Sequence, residues 1–176
     1  MLAFYRVLGL LAILKLMIEG ALLWSIISYL GSSAGLALTL AGVTGISERT
    51  ARKKGIAVLT SYTHSPSHAG YYPGAQPISI KLVVADGSGR LLGAQVVGRE
   101  GVDKRVDVFA TAIYAGLTVE DLEHLDLAYA PPFGSANDPV NVAAFVAAHV
   151  LRGEVRTIPP SELARTERKL IDVREP

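Results

Sequence analysis

The sequence has no cysteine. That absence removes disulfide bonds, thiolate zinc sites and thiol nucleophiles from the chain. Any sulfur chemistry it joins must draw its sulfur from elsewhere. Charge is scarce near the start: residues 7–46 contain only Lys15 and Glu19, and none lies between Gly20 and Ser47. A net charge of +1 over 176 residues gives no field that would gather nucleic acid. The basic cluster Arg49, Arg52, Lys53 and Lys54 stands beside no nucleic-acid-binding motif and reads as the solvated face of one short helix. Glycine-rich dinucleotide fingerprints, which open a helix directly after a strand, are missing too. The nearest approach, "GSGR" at 87–90, lies between two strand-like runs and opens no helix. It is a hairpin turn and not a phosphate loop.

What is present divides unevenly along the chain. The uncharged span from Gly20 to Ser47 exceeds the roughly 20 residues that a bilayer-crossing helix requires. Two readings stand. In one, residues 7–46 insert in a membrane, and Arg49 to Lys54 hold the C-terminal domain in the cytoplasm by the positive-inside rule. In the other, residues 1–30 form an apolar helical segment without a true span, and "LALTLAGV" after the interruption "GSSAG" is a buried strand. A cleaved signal peptide fits less well, because the apolar region runs long and no small-x-small site closes it. The domain division is then 1–30, a main domain at 31–153, and a tail at 154–176. The expected location is the cytoplasm, with membrane association as the second reading.

The main domain reads as α+β, with an antiparallel sheet flanked by helices. Ser47 is an N-cap and Gly55 a stop for a short helix. "IAVLTSYTH" comes next as a strand, and "PISIKLVVADGSGRLLGAQVVG" as a hairpin turning at Asp86 to Gly89. Ile78, Ile80, Leu82 and Val84 share one face by period two, with Ser79 and Lys81 on the other. Val102, Val106, Phe109, Ala110 and Ile113 fall at helical spacing, with Asp103 at the start and Gly116 at the end. Thr118 and Asp121 form a capping box for "VEDLEHL". "DLAYAPPF" reads as a brief strand ended by Pro131-Pro132. Asp138 caps a last helix with Pro139 in its first turn and Gly153 past its end. Strands and helices do not alternate in βαβ fashion, so antiparallel pairing is expected.

One loop concentrates chemistry. His64, His68, Tyr71 and Tyr72 stand just before the turn Pro73-Gly74, and loops on a rigid scaffold often carry function. Tyr is equally a half-buried packing residue. A metal is not expected there, since Pro66 in "HSPSH" denies the two histidines helical spacing and no third ligand is evident. His124 and His149 read as helix-surface residues, and so do Lys104 and Arg105.

Three segments, "HAGYYPGAQPISIKLVV", "LLGAQVVGREGVDKRVDVFATAI" and "LTVEDLEHLDLAYAPPFGSANDPVNVAAF", carry a resemblance. Together they resemble the C-terminal dimerisation domain of FAD-dependent pyridine nucleotide-disulfide oxidoreductases, nearest the coenzyme A-disulfide and NADH-dependent persulfide reductases. The resemblance implies the α+β fold of that domain and a homodimer, or pairing with an intact reductase subunit. It implies that Tyr71 of "GYYPGA" and Tyr129 of "LAYAPPF" reach a partner subunit's active site, where a phenol can bond or protonate a leaving thiolate. Lys104 and Arg105 would then be within reach of coenzyme A phosphates, the helix-surface reading standing beside this. FAD, NAD(P)H and coenzyme A belong to the parent family, and none is expected on this chain alone. "LIDVREP" at 170–176 resembles the opening of a rhodanese domain, a fusion some persulfide reductases carry. On this resemblance the chain is a fragment of a reductase and catalytically silent alone. A reading from another class is a membrane-anchored α+β binding or scaffold domain.

Overall fold

The computed structural model describes residues 39–158, and beyond them only 162 and 171. The apolar segment 1–30, residues 7–38 of the 7–46 membrane reading, and all of the rhodanese-like 170–176 but residue 171 therefore lie outside the described residues; residues 40–45 of that membrane reading form a strand. Among those that are described, no helix is long and apolar enough to cross a membrane.

Four strands and four helices build the domain: β1 (Leu40–Gly45), α1 (Glu48–Lys53), β2 (Val58–Pro66), β3 (Pro77–Ala85), β4 (Leu91–Gly98), α2 (Val102–Ala115), α3 (Val119–Glu123) and α4 (Pro139–Leu151). The strands form one sheet in the order β1-β4-β3-β2, and every neighbouring pair is antiparallel. The expected fold class is thus the observed one. Its centre is the β3–β4 hairpin, whose turn uses Gly87 and Gly89 at φ +80° and +68°, a region open to residues without a Cβ. Ala85 N–H donates to the Arg90 carbonyl, and Gly89 N–H to Ala85, which closes the turn.

The alternation read from β3 holds. Ile78, Ile80, Leu82 and Val84 are all buried, and they meet Leu91, Ala94, Val96, Phe109, Val119, Leu122 and the alanines of α4 in one core. Helix α2 packs on β1 and β4, and α4 on β2 and β3, so the two helices cover one face of the sheet. The small side chains of Ala143, Ala144, Ala147 and Ala148 are all fully buried. The other face is covered in part. Lys81 projects there and bonds Glu48 of α1 at 2.6 Å, and Val83, one of its same-face neighbours, is fully buried. The Glu48 carboxyl is held below the ordinary carboxylate range, chiefly by that bond to Lys81 and also by Arg52.

Two sequence expectations are corrected. "LALTLAGV" does include a strand, but β1 is an edge strand, with Leu40 and Val43 exposed; burial on the apolar pattern alone overlooks its place at the sheet margin. "DLAYAPPF" is not a strand: residues 125–130 run as irregular chain into a turn at 131–133. They find no ladder partner, and their turn is closed by N–H groups of Phe133 and Gly134 donating to the Ala130 carbonyl.

Cap chemistry matches the sequence closely. Ser47, Thr118 and Asp138 each accept from a backbone N–H of the helix they begin, and Thr118 with Asp121 completes the reciprocal box. Gly116 ends α2 in the left-handed conformation.

Candidate functional site

Two loops meet at one end of the sheet. The first leaves β2 at Pro66 and returns at Pro77. It is pinned at its base, where Ser67 N–H donates to the Gln76 carbonyl at 2.7 Å and Gln76 N–H returns a bond to Ser67 Oγ at 3.1 Å. Inside it, Tyr72 N–H donates to Ala69, which makes a tight turn and leaves Tyr71 at its tip. The second loop runs from α3 to α4. Asn141, buried at the start of α4, donates to the Leu122 and Leu125 carbonyls and so holds the exit from α3 against α4. The loops touch directly where Ala69 N–H donates to the Gly134 carbonyl at 3.0 Å.

This convergence brings the hydroxyls of Tyr71 and Tyr129 to 2.7 Å from each other, although 58 residues separate them in sequence. Tyr71 is 76% exposed and Tyr129 50%. The bond to Tyr129 raises the Tyr71 phenol above its ordinary value. Once one phenol donates to the other, the second O–H remains free to donate outward, and a donor in a hydrogen-bonded chain is polarised by its neighbour. The arrangement offers a neutral, solvent-facing hydroxyl pair suited to bonding or protonating an anion that arrives from outside. A raised phenol favours the neutral form, so its stabilising effect is present below the unfolded value near 10 and is lost as pH rises through the folded one. Tyr129→Phe is expected to bring the Tyr71 titration down toward that of a free phenol, as read by ultraviolet difference titration against Tyr71→Phe.

Of the two histidines read as loop residues, His64 lies within β2 rather than the loop, and both have structural partners. His64 Nδ1 lies 2.8 Å from Ser79 Oγ across the β2–β3 pair. His68 is buried, with Nδ1 3.2 Å from the Ala69 carbonyl and its ring edge-on to Tyr72 at 5.8 Å. His124 and His149 are not buried, in keeping with their reading as helix-surface residues.

Arg105 departs from its expected place on the helix surface. It is 1% exposed and donates through Nε and Nη2 to both carboxylate oxygens of Asp138, at 3.2 and 2.8 Å. Its Nη2 also donates to the Ser67 carbonyl at 2.7 Å, and Nη1 to Gly101 at 3.2 Å. Helical spacing holds the signal, since Arg105 is three residues after Val102 and four before Phe109, on the buried stripe of α2. Lys104 stays partly exposed, with Nζ 3.7 Å from Asp138 Oδ2. A cavity of about 250 Å³ opens beside this group, lined by His68, Glu100, Lys104, Arg105 and Phe133 among others. The glycine-bearing turn between β3 and β4 closes a hairpin and opens no helix, as its sequence suggests.

A four-stranded antiparallel sheet with two helices on one face has a known family. The chain belongs to the pyridine nucleotide-disulphide oxidoreductase dimerisation domains, whose family model matches residues 38–139. Among individual relatives, it is 43% identical over 105 residues to the NAD(P)H coenzyme A polysulfide/persulfide reductase of Pyrococcus horikoshii, a match covering 60% of this chain and 23% of that protein. It is 40% identical over 81 residues to the coenzyme A disulfide reductase of Staphylococcus epidermidis, covering 46% of this chain and 18% of that protein. Among solved structures, reduced CoADR-RHD of Bacillus anthracis superposes with a TM-score of 0.70 at 46% identity, covering 72% of this chain and 23% of that one. The NAD-dependent persulfide reductase of A. fulgidus gives 0.64 at 46% identity, covering 65% and 22%. The chain thus matches between 18% and 23% of the length of these relatives.

Proposed function

We propose that this chain is the dimerisation module of a coenzyme A-disulfide or persulfide reductase, and that it presents Tyr71 and Tyr129 to sulfur chemistry at a partner subunit's active site. The observation that carries the reading is the pair of exposed hydroxyls 2.7 Å apart at the meeting of two loops. Two solvent-facing phenols bonded to each other contribute little to a core, and a partner surface gives them a use. Exposed Phe133, close to Tyr129 in the chain, extends the aromatic patch that such a partner would cover.

In this reading the chain has no catalysis of its own. It supplies no redox sulfur, having no cysteine; FAD, NAD(P)H and the reacting thiol sit on the remainder of the parent enzyme. This chain's residues orient and hydrogen-bond a thiolate leaving group, and one phenol gives it a proton. The partner is a second copy or an intact reductase subunit.

The test is a chimera in which residues 39–153 replace the matching quarter of the Pyrococcus horikoshii reductase. The chimera should elute as a dimer and reduce coenzyme A persulfide with NAD(P)H. Replacing both Tyr71 and Tyr129 by Phe should leave the dimer intact and lower kcat by about 100-fold or more, the usual range for losing a positioned proton donor. A dimeric chimera that turns over equally well with both phenylalanines would overturn the role of the phenols, and a monomeric one the role in pairing.

A further inference from the structure

We propose that Arg105 is the positioning residue of the tyrosine pair: its guanidinium fastens the Tyr71 loop and the Tyr129 loop to one helix. This rests on the reading of the two phenols as partner-facing groups. Each loop must be held independently if two exposed hydroxyls are to meet, because loop chains at a surface otherwise keep their conformational freedom. Arg105 reaches both. Its bond to the Ser67 carbonyl fixes the chain four residues before Tyr71, and its two bonds to Asp138 fix the chain where the second loop enters α4. The direct contact between loops, Ala69 to Gly134, lies between these anchor points and the two tyrosines.

The geometry is specific to arginine. A planar fork serves the two oxygens of one carboxylate and still directs N–H groups at carbonyls on either side, which a lysine ammonium does not do. All three guanidinium nitrogens are engaged within the protein, through four hydrogen bonds. That leaves Arg105 poorly placed to serve coenzyme A phosphates, the alternative raised by its sequence. The start of α2 is shaped around the group: Gly101 sits at φ +65°, and a Cβ there would collide with Arg105 Nη1. The other charged or titratable neighbours are Lys104, which faces Asp138 from its exposed side, and Glu100 and His68 on the cavity wall. Of these groups, Arg105 alone bonds to both loops.

The experiment follows the two phenols by NMR, with tyrosine carrying an NMR-active carbon at ζ, across a pH titration of the full chain. Tyr71→Phe and Tyr129→Phe assign the two signals. In the unaltered chain Tyr71 should titrate above a free phenol. In Arg105→Lys, and in Arg105→Met/Asp138→Ser, which keeps a helix cap but no ion pair, the upward displacement of Tyr71 should vanish while urea unfolding stays cooperative. Asp138→Asn keeps cap and shape, decides the matter if the other variants do not fold, and should lower the Tyr71 titration part of the way. A Tyr71 signal that stays as far displaced as in the unaltered chain in any of these folded variants would overturn the proposal, as the loops would then hold each other. No turnover enters this readout. The proposal on Arg105 can therefore fail while the chimera's loss of activity stands, and the reverse also holds.

Discussion

Arg105→Met will lower the free energy of unfolding by about 3–5 kcal/mol, measured by urea denaturation, because it leaves the Asp138 carboxylate buried without its counter-charge. Asp138 is 2% exposed, and Arg105 meets both of its oxygens. Lys104 lies 3.7 Å away but is itself partly in water, so it compensates only in part. Arg105→Met/Asp138→Ser separates the two contributions. The serine keeps an oxygen for the Val140 N–H that Asp138 now caps, and removes the stranded charge. The double variant should therefore recover a clear part of the loss. Full recovery is not expected, since the Ser67 and Gly101 carbonyls still lose the donors that Arg105 gives them. A double variant no more stable than the single one would show that the lost carbonyl bonds, and not the unpaired carboxylate, carry the cost.

The site is legible in the sequence in unequal parts, and the reasons are physical. Local rules reach the hairpin, the capping residues and the period-two face of β3, because each depends on residues within a few positions of one another. The pairing of Tyr71 with Tyr129 depends on two loops meeting across 58 residues, and only the family resemblance suggests that they share a site. Arg105 is misplaced on the helix surface when charge type is weighed above helical position. On the α2 stripe it falls with Val102, Phe109 and Ala112, all buried, and a cation on such a stripe calls for a buried anion nearby. The sequence around Asp138 shows its cap alone. A single carboxylate here serves both the Val140 N–H and the guanidinium, and no local rule reveals the second partner. The strand expected at "DLAYAPPF" fails for a related reason: apolar alternation makes a strand only where an edge is available to pair with, and this segment pairs with neither edge of the sheet, β1 or β2.

Phe109→Ala should cost about 3–5 kcal/mol, the usual loss when a large aromatic is removed from a closed core. Phe109 is fully buried on α2, within the cluster formed by β3, β4, α3 and α4. The surrounding side chains belong to four different elements, so the vacated volume cannot close by moving one of them alone. Tyr114→Ala is the matched control on the same helix. Tyr114 is 94% exposed, and its loss should change stability by no more than about 0.5 kcal/mol. Both variants should keep the urea m-value of the unaltered chain, because neither alters the surface exposed on unfolding by much. The consequence reaches the site through the helix itself. Phe109 stands one turn from Arg105 on the same buried stripe, so a core that relaxes around the missing ring displaces the guanidinium as well. The Tyr71 titration should then fall with Phe109→Ala and hold with Tyr114→Ala. Equal behaviour of the two variants in that titration would mean that the loops take their position from each other, with α2 serving the core alone.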